Sequence, residues 1–228
     1  MVYVNDIEDA KSYDTSKSYE PKLQPDDLLS IVVSAENTEV TVPFNLPDIL
    51  SGDADNIRLK TYLIDNSGYI DFPVIGKIKL GGLTRTEANY KLVAAVSEYI
   101  RNPTINIRIV NYKIAVLGEV SKPGNYNVAG ERLTILEALS LAGDLTIYGK
   151  RENILLIREI EGKKTYVRLD LTKADLLNSP YYYLAQNDVV FVEPNKTRLN
   201  SSKIGPDIGL IFSSISLLIT ITVLIIRN

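Results

Sequence analysis

The sequence predicts an α+β protein in which two small domains, each made of short strands with one crossing helix, precede a C-terminal transmembrane helix. Segments of alternating apolar and polar residues, typical of half-buried strands, recur between residues 28 and 192. Capping boxes of the pattern Thr-x-x-Glu begin at Thr84 and Thr134, and apolar residues at helical spacing follow each of them. Residues 208–226 contain no charged side chain. A helix of that length spans roughly 28 Å, close to the ~30 Å hydrocarbon core of a bilayer.

The composition argues against several classes of function. The 228 residues include neither cysteine nor histidine, which removes thiolate catalysis, the commonest general base and the commonest zinc ligands. We therefore predict no cofactor, no metal site and no enzymatic activity. The net charge of −3, without a Lys/Arg cluster before the membrane segment, also argues against nucleic acid as a partner.

The first domain is expected over residues 21–111, after a polar and flexible lead-in at residues 1–20. Its first strand, residues 28–34, is rich in β-branched side chains and follows a Pro-Asp-Asp turn. Two prolines, a glycine and clustered Asp and Asn residues predict a loop at residues 37–56.

A hairpin, a helix and a last strand complete the predicted first domain. The turn sequence Asp-Asn-Ser-Gly at residues 65–68 joins strands at residues 62–64 and 69–72 into a hairpin. A further strand at residues 77–80 precedes the first capping box. The helix after that box is expected to stop at an Asn-Pro pair, and a strand at residues 104–110 follows. The apolar face of this helix is expected to contain Ala88, Leu92, Ala95, Val96 and Tyr99.

The second domain, residues 112–194, repeats the order of the first. A hairpin closed by a Pro-Gly turn is followed by the second capped helix and then by a second hairpin with a central glycine. A short helix near residues 172–177 and a strand at residues 188–192 complete the domain. Two hairpins around one helix form the β-grasp pattern.

A polar, basic linker at residues 195–207 is expected to join this body to the transmembrane helix, residues 208–226. Its charges at Lys196, Arg198 and Lys203 suit polymer or lipid headgroups, although solvated charge is the usual state of such residues. Within the transmembrane helix, small and hydroxylated residues share one face with the final arginine. This stripe consists of Gly209, Ser213, Ser216, Thr220 and Arg227. Such a stripe brings helices close or presents hydroxyls to a lumen, and the alternative is a lone tail anchor.

Several segments, through their order and separation, carry a resemblance to a known family. In the first domain they are residues 23–31, 64–73, 76–78 and 82–84. In the second domain they are residues 116–120, 123–124, 133–139 and 142–143. Together they resemble the outer-membrane polysaccharide export family, the translocons of capsules and exopolysaccharides. Its members combine an export-sheet domain, here residues 21–111, with β-grasp domains of the soluble-ligand-binding (SLBB) type, here residues 112–194.

The resemblance implies a bacterial outer-membrane protein whose body lies in the periplasm. Members of this family form ring-shaped homo-oligomers whose C-terminal helices group into a barrel, through which capsular or extracellular polysaccharide passes. The polar stripe would then face the lumen or a neighbouring helix, while the remaining surface contacts membrane lipid. Neutral hydroxyl groups suit a hydrated polymer because they do not retain it. The family also implies an inner-membrane polysaccharide co-polymerase, of the tyrosine kinase type, as a partner.

Two features depart from the family pattern. The lipid-bearing cysteine expected near the mature N-terminus is absent. We therefore expect either a mature sequence in which that residue was replaced or a protein without a lipid anchor. Only one β-grasp domain is evident where longer members have two or more, which predicts a shorter periplasmic ring.

Two other functions fit parts of the sequence. A membrane-tethered periplasmic protein would bind polysaccharide or act as a scaffold without forming a pore, since one helix does not establish a barrel. An enzyme acting on polysaccharide would need paired carboxylates, such as Asp53 with Asp55 or Asp26 with Asp27. Adjacent acids in turns rich in proline and glycine usually form the turn, which argues against the enzyme.

Three consecutive tyrosines, Tyr181, Tyr182 and Tyr183, are the remaining candidate site. Their rings offer stacking faces for sugars or a contact between subunits. The structural alternative is that such rings fill contacts between strands, because neighbouring side chains of an extended segment point in opposite directions.

Overall fold

The computed structural model of the protein describes residues 3–4, 20–45, 61–160 and 162–203. Within these residues, one hydrophobic core extends from Leu23 to Ile107 and a second from Tyr112 to Val192. The predicted transmembrane helix at residues 208–226 lies outside the described residues. No helix in the described part of the chain has the length and apolar character needed to cross a bilayer.

The first unit is built on a three-stranded antiparallel sheet. Its elements are β1 (Leu28–Ser34), β2 (Thr61–Leu63), β3 (Tyr69–Phe72), β4 (Gly76–Lys79), α1 (Arg85–Val96) and β5 (Thr104–Ile109). The sheet order is β2-β1-β5, while β3 and β4 pair as a separate hairpin. The alternation predicted for the last strand is confirmed, because Ile105 and Ile107 are buried and Asn106 and Arg108 are exposed. Helix α1 packs against this strand.

The hairpin predicted between residues 62–64 and 69–72 is wrong. Its tight turn does form, since the Gly68 N–H donates to the Asp65 carbonyl over 2.8 Å and the Asp65 carboxylate accepts from the Tyr69 N–H over 2.9 Å. However, β2 pairs with β1 and β3 pairs with β4. Turn-forming residues determine where the chain reverses, whereas the burial of apolar side chains determines which strand β2 pairs with. The longer strand β1 places Leu29 opposite Tyr62, and both are buried.

Two further expectations for the first unit need correction. The loop predicted at residues 37–56 contains a 3₁₀ helix at Glu39–Phe44, and residues 46–60 lie outside the described residues. Phe44 is buried in the first core with its ring 6.5 Å from that of Phe72, which explains why this segment is ordered. Tyr99, predicted on the apolar face of the helix, lies beyond the end of α1 and is 58% exposed.

The second unit has the β-grasp arrangement that the sequence predicts. Its elements are β6 (Lys113–Gly118), β7 (Gly124–Asn127), β8 (Leu133–Thr134), α2 (Ile135–Leu141), β9 (Gly149–Ile160), β10 (Lys163–Leu169), a 3₁₀ helix (Ala174–Asn178), β11 (Tyr183–Leu184) and β12 (Val189–Pro194). The five-stranded sheet has the order β10-β9-β12-β6-β7, and its central strand β12 runs parallel to β6. Strands β8 and β11 form a small separate pair.

Both predicted capping boxes are confirmed. At the start of α1, the Thr84 hydroxyl accepts from the Glu87 N–H over 3.2 Å, and the Glu87 carboxylate accepts from the Thr84 N–H over 2.8 Å. At the start of α2, Thr134 and Glu137 make the same reciprocal bonds, of 3.2 and 2.7 Å. The N–H donation from Thr134 lowers the pKa of the Glu137 carboxyl. Each box thus satisfies helix-end donors that would otherwise lack partners.

Gly118, at the end of β6, allows β6 and β12 to approach closely. Its φ is +90°, and a Cβ at this position would lie 2.1 Å from the carbonyl oxygen of Val192. The adjacent Glu119 N–H donates to that same oxygen over 3.0 Å. A side chain is therefore incompatible with both the backbone conformation and the contact.

The described part of the linker predicted at residues 195–207 is largely helical. Residues Lys196–Lys203 form helix α3. Arg198 is bound to the body, because its Nε donates to the Glu119 carboxylate over 3.2 Å and its guanidinium lies 5.5 Å from the centre of the Tyr148 ring. At least the first part of this basic segment thus docks on the second unit.

Candidate functional site at the domain junction

Asn111, between β5 and β6, joins the two units through its side chain and its backbone. The side-chain carbonyl accepts from the Leu28 N–H, and the side-chain amide donates to the Asp26 carbonyl, both over 2.9 Å. The backbone carbonyl accepts from the Gln186 side-chain amide over 2.9 Å. The Gln186 side-chain oxygen in turn accepts from the Lys113 N–H over 2.8 Å. These bonds connect the first strand of one unit to the loop before β12 in the other.

A cleft of about 430 Å³ lies at this junction. Residues from both units line it: Glu20, Pro21, Arg85, Ile107, Arg108, Ile109, Tyr112, Ala129, Gly130, Glu131 and Arg132. Five of these residues are charged, and the other six are Ile107 and Ile109 of β5 with Pro21, Tyr112, Ala129 and Gly130. The volume falls in the range of about 300 to 1,000 Å³ that is common for small-ligand pockets.

The charged groups of the cleft are unequally paired. Arg85 forms an ion pair of 3.2 Å with Glu131, which spans the two units. Glu20 accepts from the Thr86 hydroxyl over 2.7 Å, and this bond is the main reason why the pKa of Glu20 lies below its ordinary value. The charge of Arg85 lowers the same pKa further. Both carboxylates therefore already have partners at the first turn of α1.

Two arginines of the cleft lack a carboxylate partner at salt-bridge distance among the described residues, namely Arg108 and Arg132. Arg108 extends from the exposed face of β5. The guanidinium of Arg132 lies 5.6 Å from the centre of the Tyr183 ring. Arg132 thus connects the cleft to the tyrosine segment that the sequence identifies as a candidate.

The tyrosine segment is half-buried rather than free. Tyr181 and Tyr182 pack against the second core, and the rings of Tyr182 and Tyr183 meet edge to face with centroids 5.2 Å apart. Burial raises the pKa of the Tyr182 hydroxyl. The guanidinium of Arg158 lies 5.4 Å from the centre of the Tyr181 ring. The structure therefore brings these three tyrosines together with two arginines.

A buried ion pair between Arg158 and Asp188 contacts the backbone of the tyrosine segment. Arg158 Nε donates to Asp188 Oδ1 over 3.0 Å, and a terminal nitrogen donates to Asp188 Oδ2 over 2.6 Å. The same terminal nitrogen donates to the Tyr183 carbonyl over 2.8 Å. Burial raises the pKa of Asp188, and the Arg158 guanidinium opposes that rise. Sequence reasoning missed this pair, because 30 positions separate two residues that no local motif connects.

Of the carboxylates considered for an enzyme, the structure describes Asp26 and Asp27. Asp26 lies in a turn with φ of +68°. Asp27 is buried, with one oxygen accepting from the Gln24 N–H over 2.8 Å and the other without a hydrogen-bond partner among the described residues. Burial raises the pKa of Asp27 to about 6. Asp53 and Asp55 lie outside the described residues.

The polar stripe, Gly209, Ser213, Ser216, Thr220 and Arg227, lies outside the described residues. Over the described ranges, no group of three or more acidic side chains is placed to hold a metal ion. Arg132 therefore contacts the tyrosine segment and also lines the junction cleft.

The fold defines a two-domain α+β protein in which a β-grasp domain follows an antiparallel sheet domain. Comparison with known families identifies both parts. The family model of polysaccharide biosynthesis/export proteins matches residues 15–110, and that of the SLBB domain matches residues 113–168. The chain therefore contains the polysaccharide export and SLBB domains that the resemblance of its segments predicts. The matched domain is that of export proteins, which agrees with the expectation that the chain is not an enzyme.

Two relatives share part of this sequence. The EPS I polysaccharide export outer membrane protein EpsA of Ralstonia solanacearum is 29% identical over 120 residues, which cover 49% of this chain and 32% of the relative. EpsA of Ralstonia nicotianae is 29% identical over 122 residues, covering 49% of this chain and 31% of the relative. The chain thus matches about a third of the length of these curated relatives.

Proposed function

We propose that this chain is a subunit of an outer-membrane conduit that exports capsular or extracellular polysaccharide. The observation that carries the proposal is the succession of the two family domains, residues 15–110 and 113–168, in one chain. The relatives named as polysaccharide export outer membrane proteins support the same role. The bonds of Asn111 hold the two domains in a fixed relation, as a wall built from repeated subunits requires.

In this proposal the body lies in the periplasm, and residues 208–226 cross the outer membrane. The uncharged character and length of that segment support the crossing. Subunits form a homo-oligomeric ring, and the stripe of small and hydroxylated residues faces the lumen or a neighbouring helix. Its members are Gly209, Ser213, Ser216, Thr220 and Arg227. Small residues on one face permit the close helix packing that a barrel needs.

The proposal includes a contact role for the tyrosine segment and a partner at the inner membrane. Tyr181, Tyr182 and Tyr183 are half-buried, and a sugar or an adjacent subunit would contact the part of each residue that is exposed. A polysaccharide co-polymerase of the tyrosine kinase type in the inner membrane would deliver the polymer to the periplasmic end of the ring.

A second candidate function is a membrane-tethered periplasmic protein that binds polysaccharide, or acts as a scaffold, without forming a pore. The junction cleft favours this alternative, because it is a site on the body that does not depend on the membrane segment. The two candidates differ in what the C-terminal segment must do. A conduit requires it as part of the pore, whereas a tethered protein requires only attachment to a membrane.

Gene deletion in the native host tests the export role. We expect the deleted cells to lose surface polysaccharide, and a plasmid carrying the full chain to restore it. A chain whose residues 204–228 are exchanged for an unrelated membrane anchor should fail to restore export if the segment builds the pore. Restoration by that exchanged chain would favour the tethered protein. Surface polysaccharide that is unchanged by the deletion would contradict both candidates.

A further inference from the structure

We propose that the junction cleft binds an acidic sugar unit, that is, a sugar ring carrying a carboxylate or phosphate group. This inference rests on the proposed export function and names the substrate class: an anionic polysaccharide. It assigns a direct recognition role to Arg108 and Arg132, two residues of the cleft wall.

The charge balance of the cleft points to an anion. Three arginines and two glutamates line it, so it carries a formal excess of one positive charge on a chain whose net charge is −3. Arg85 is engaged by Glu131, and Glu20 is engaged by Thr86. The Arg85–Glu131 pair cancels, so the excess is what Arg108 and Arg132 together carry beyond the negative charge of Glu20. The charge of Arg132 also lowers the pKa of Glu137. A guanidinium group donates two parallel hydrogen bonds to a carboxylate or phosphate, which neutral sugars do not offer.

The shape and lining of the cleft fit a sugar ring better than a bare ion. Its volume is about 430 Å³, and the half-buried Ile109 and Pro21 supply apolar surface beside the charged groups. Sugar rings have apolar faces that pack on such surface, while their acidic substituents turn towards the arginines. Gly130 is exposed and lines the cleft without a side chain, so its backbone adds polar groups to the wall.

Arg132 extends the site from the cleft towards the tyrosine segment. This residue lines the cleft and also lies over the ring of Tyr183, beside Tyr182. A polymer with one acidic unit in the cleft would therefore place its next unit against tyrosine edges. The cleft wall at Arg132 and the tyrosine segment are joined by the pairing of β11 with β8, in which Tyr183 lies opposite Thr134.

Calorimetric titration of the detergent-solubilised full chain tests this site. The probes are tetragalacturonate, glucose 1-phosphate and the neutral sugar maltotetraose, at low ionic strength to limit screening. The variants are Arg108→Gln and Arg132→Gln, and Arg101→Gln is the control because Arg101 is also exposed and does not line the cleft. Circular dichroism confirms that each variant is folded.

We expect an acidic probe to bind and maltotetraose not to bind. Each cleft variant should weaken binding about tenfold, the lower end of what a hydrogen bond to a charged group contributes, while Arg101→Gln should change it by less than about twofold. Binding of tetragalacturonate alone identifies the carboxylate as the recognised group, and binding of glucose 1-phosphate alone identifies the phosphate. Equal binding of neutral and acidic sugars, equal loss in the control, or no binding of either acidic probe would overturn the proposal.

These outcomes are separate from the export role. A chain that binds no acidic sugar, in a host whose surface polysaccharide still depends on it, overturns the cleft assignment and leaves the export role standing. A host that keeps its surface polysaccharide without the chain overturns the export role, whatever the chain binds.

Discussion

Asp27 is a buried carboxyl group of the first unit whose ionisation depends on folding. Its side chain is 1% exposed, and one of its two carboxylate oxygens has no hydrogen-bond partner within the part of the chain that the structure describes. Burial raises its pKa from 3.8 to about 6. The folded state therefore disfavours the ionised form of Asp27, and the neighbouring negative charge of Asp26 adds to this effect.

The first prediction concerns the pH dependence of stability. Between pH 3.8 and about 6, Asp27 is protonated in the folded state and ionised in the unfolded state. Its stabilising contribution is therefore complete below pH 3.8 and is lost as the pH rises through about 6, by at most about 3 kcal/mol. Asp27→Asn should remove this loss, as measured by urea unfolding of the full chain across that pH range.

Comparing the pH profile of stability of each variant with that of wild type separates the contribution of Asp27 from those of the other carboxyl groups. Asp71→Asn, on the exposed side of β3, is the matched control and should keep the wild-type pH profile. A pH profile of Asp27→Asn that is the same as that of wild type would show that Asp27 does not set this dependence.

The second prediction concerns the buried pair below the tyrosine segment. Arg158→Met leaves the Asp188 carboxylate, which is fully buried, without its cationic partner. Breaking such a pair typically costs about 3 to 5 kcal/mol, because one buried charge remains uncompensated. Arg168→Met is the control, since Arg168 makes an exposed pair with Glu193 and should cost less than about 1 kcal/mol. Similar unfolding free energies for both variants would contradict the structural role of Arg158.

At the scale of elements, the sequence predicts what is local and fails where partners are distant. The capping boxes at Thr84 and Thr134 are predictable, because all groups involved lie within four residues. The strand β1 has the bounds that its sequence predicts, since its β-branched run is self-contained. The hairpin expected at residues 62–72 is wrong, because pairing of β2 with β1 depends on a segment more than 25 residues away.

The third prediction concerns the contact between β6 and β12. Gly118→Ala places a methyl group 2.1 Å from the Val192 carbonyl oxygen in a backbone conformation that alanine disfavours. We expect a loss of about 2 kcal/mol or more in unfolding free energy. Gly124→Ala is the control in the same hairpin, because a methyl group at this position would meet no described atom within 4 Å beyond its chain neighbours. It should change stability by less than about 0.5 kcal/mol, and a loss as large as that of Gly118→Ala would refute the steric explanation.

At the scale of the whole molecule, the fourth prediction concerns the fixed relation of the two units. Asn111→Ala removes the acceptor of the Leu28 N–H and the donor to the Asp26 carbonyl. Hydrogen exchange at the Leu28 amide should accelerate about 10-fold or more, as expected when a bond worth about 1.5 kcal/mol is lost. Mass spectrometry of the peptide that contains Leu28 measures this rate. Asn106→Ala, exposed on β5, should leave it unchanged, and unchanged exchange in Asn111→Ala would show that the units are held by other contacts.

The order of the two domains is predictable from the sequence, and the site between them is not. The segments that carry the resemblance are turns, caps and strands, and each can be predicted from its local sequence alone. The junction cleft combines Glu20, Arg85, Arg108 and Arg132, which are dispersed over more than a hundred positions. Only the packing of the two units brings these charges together. The tyrosine segment is visible as a run of residues, but its contact with Arg132 is not.

The oligomeric state in detergent tests the conduit most directly. Native mass spectrometry and particle imaging would compare the full chain with a chain that ends at Lys203. We predict a closed ring of many subunits for the full chain and loss of that ring without residues 204–228, because the helices at residues 208–226 form the barrel of the proposed conduit. A monomer or dimer in both forms would contradict the conduit and leave a tethered polysaccharide-binding protein.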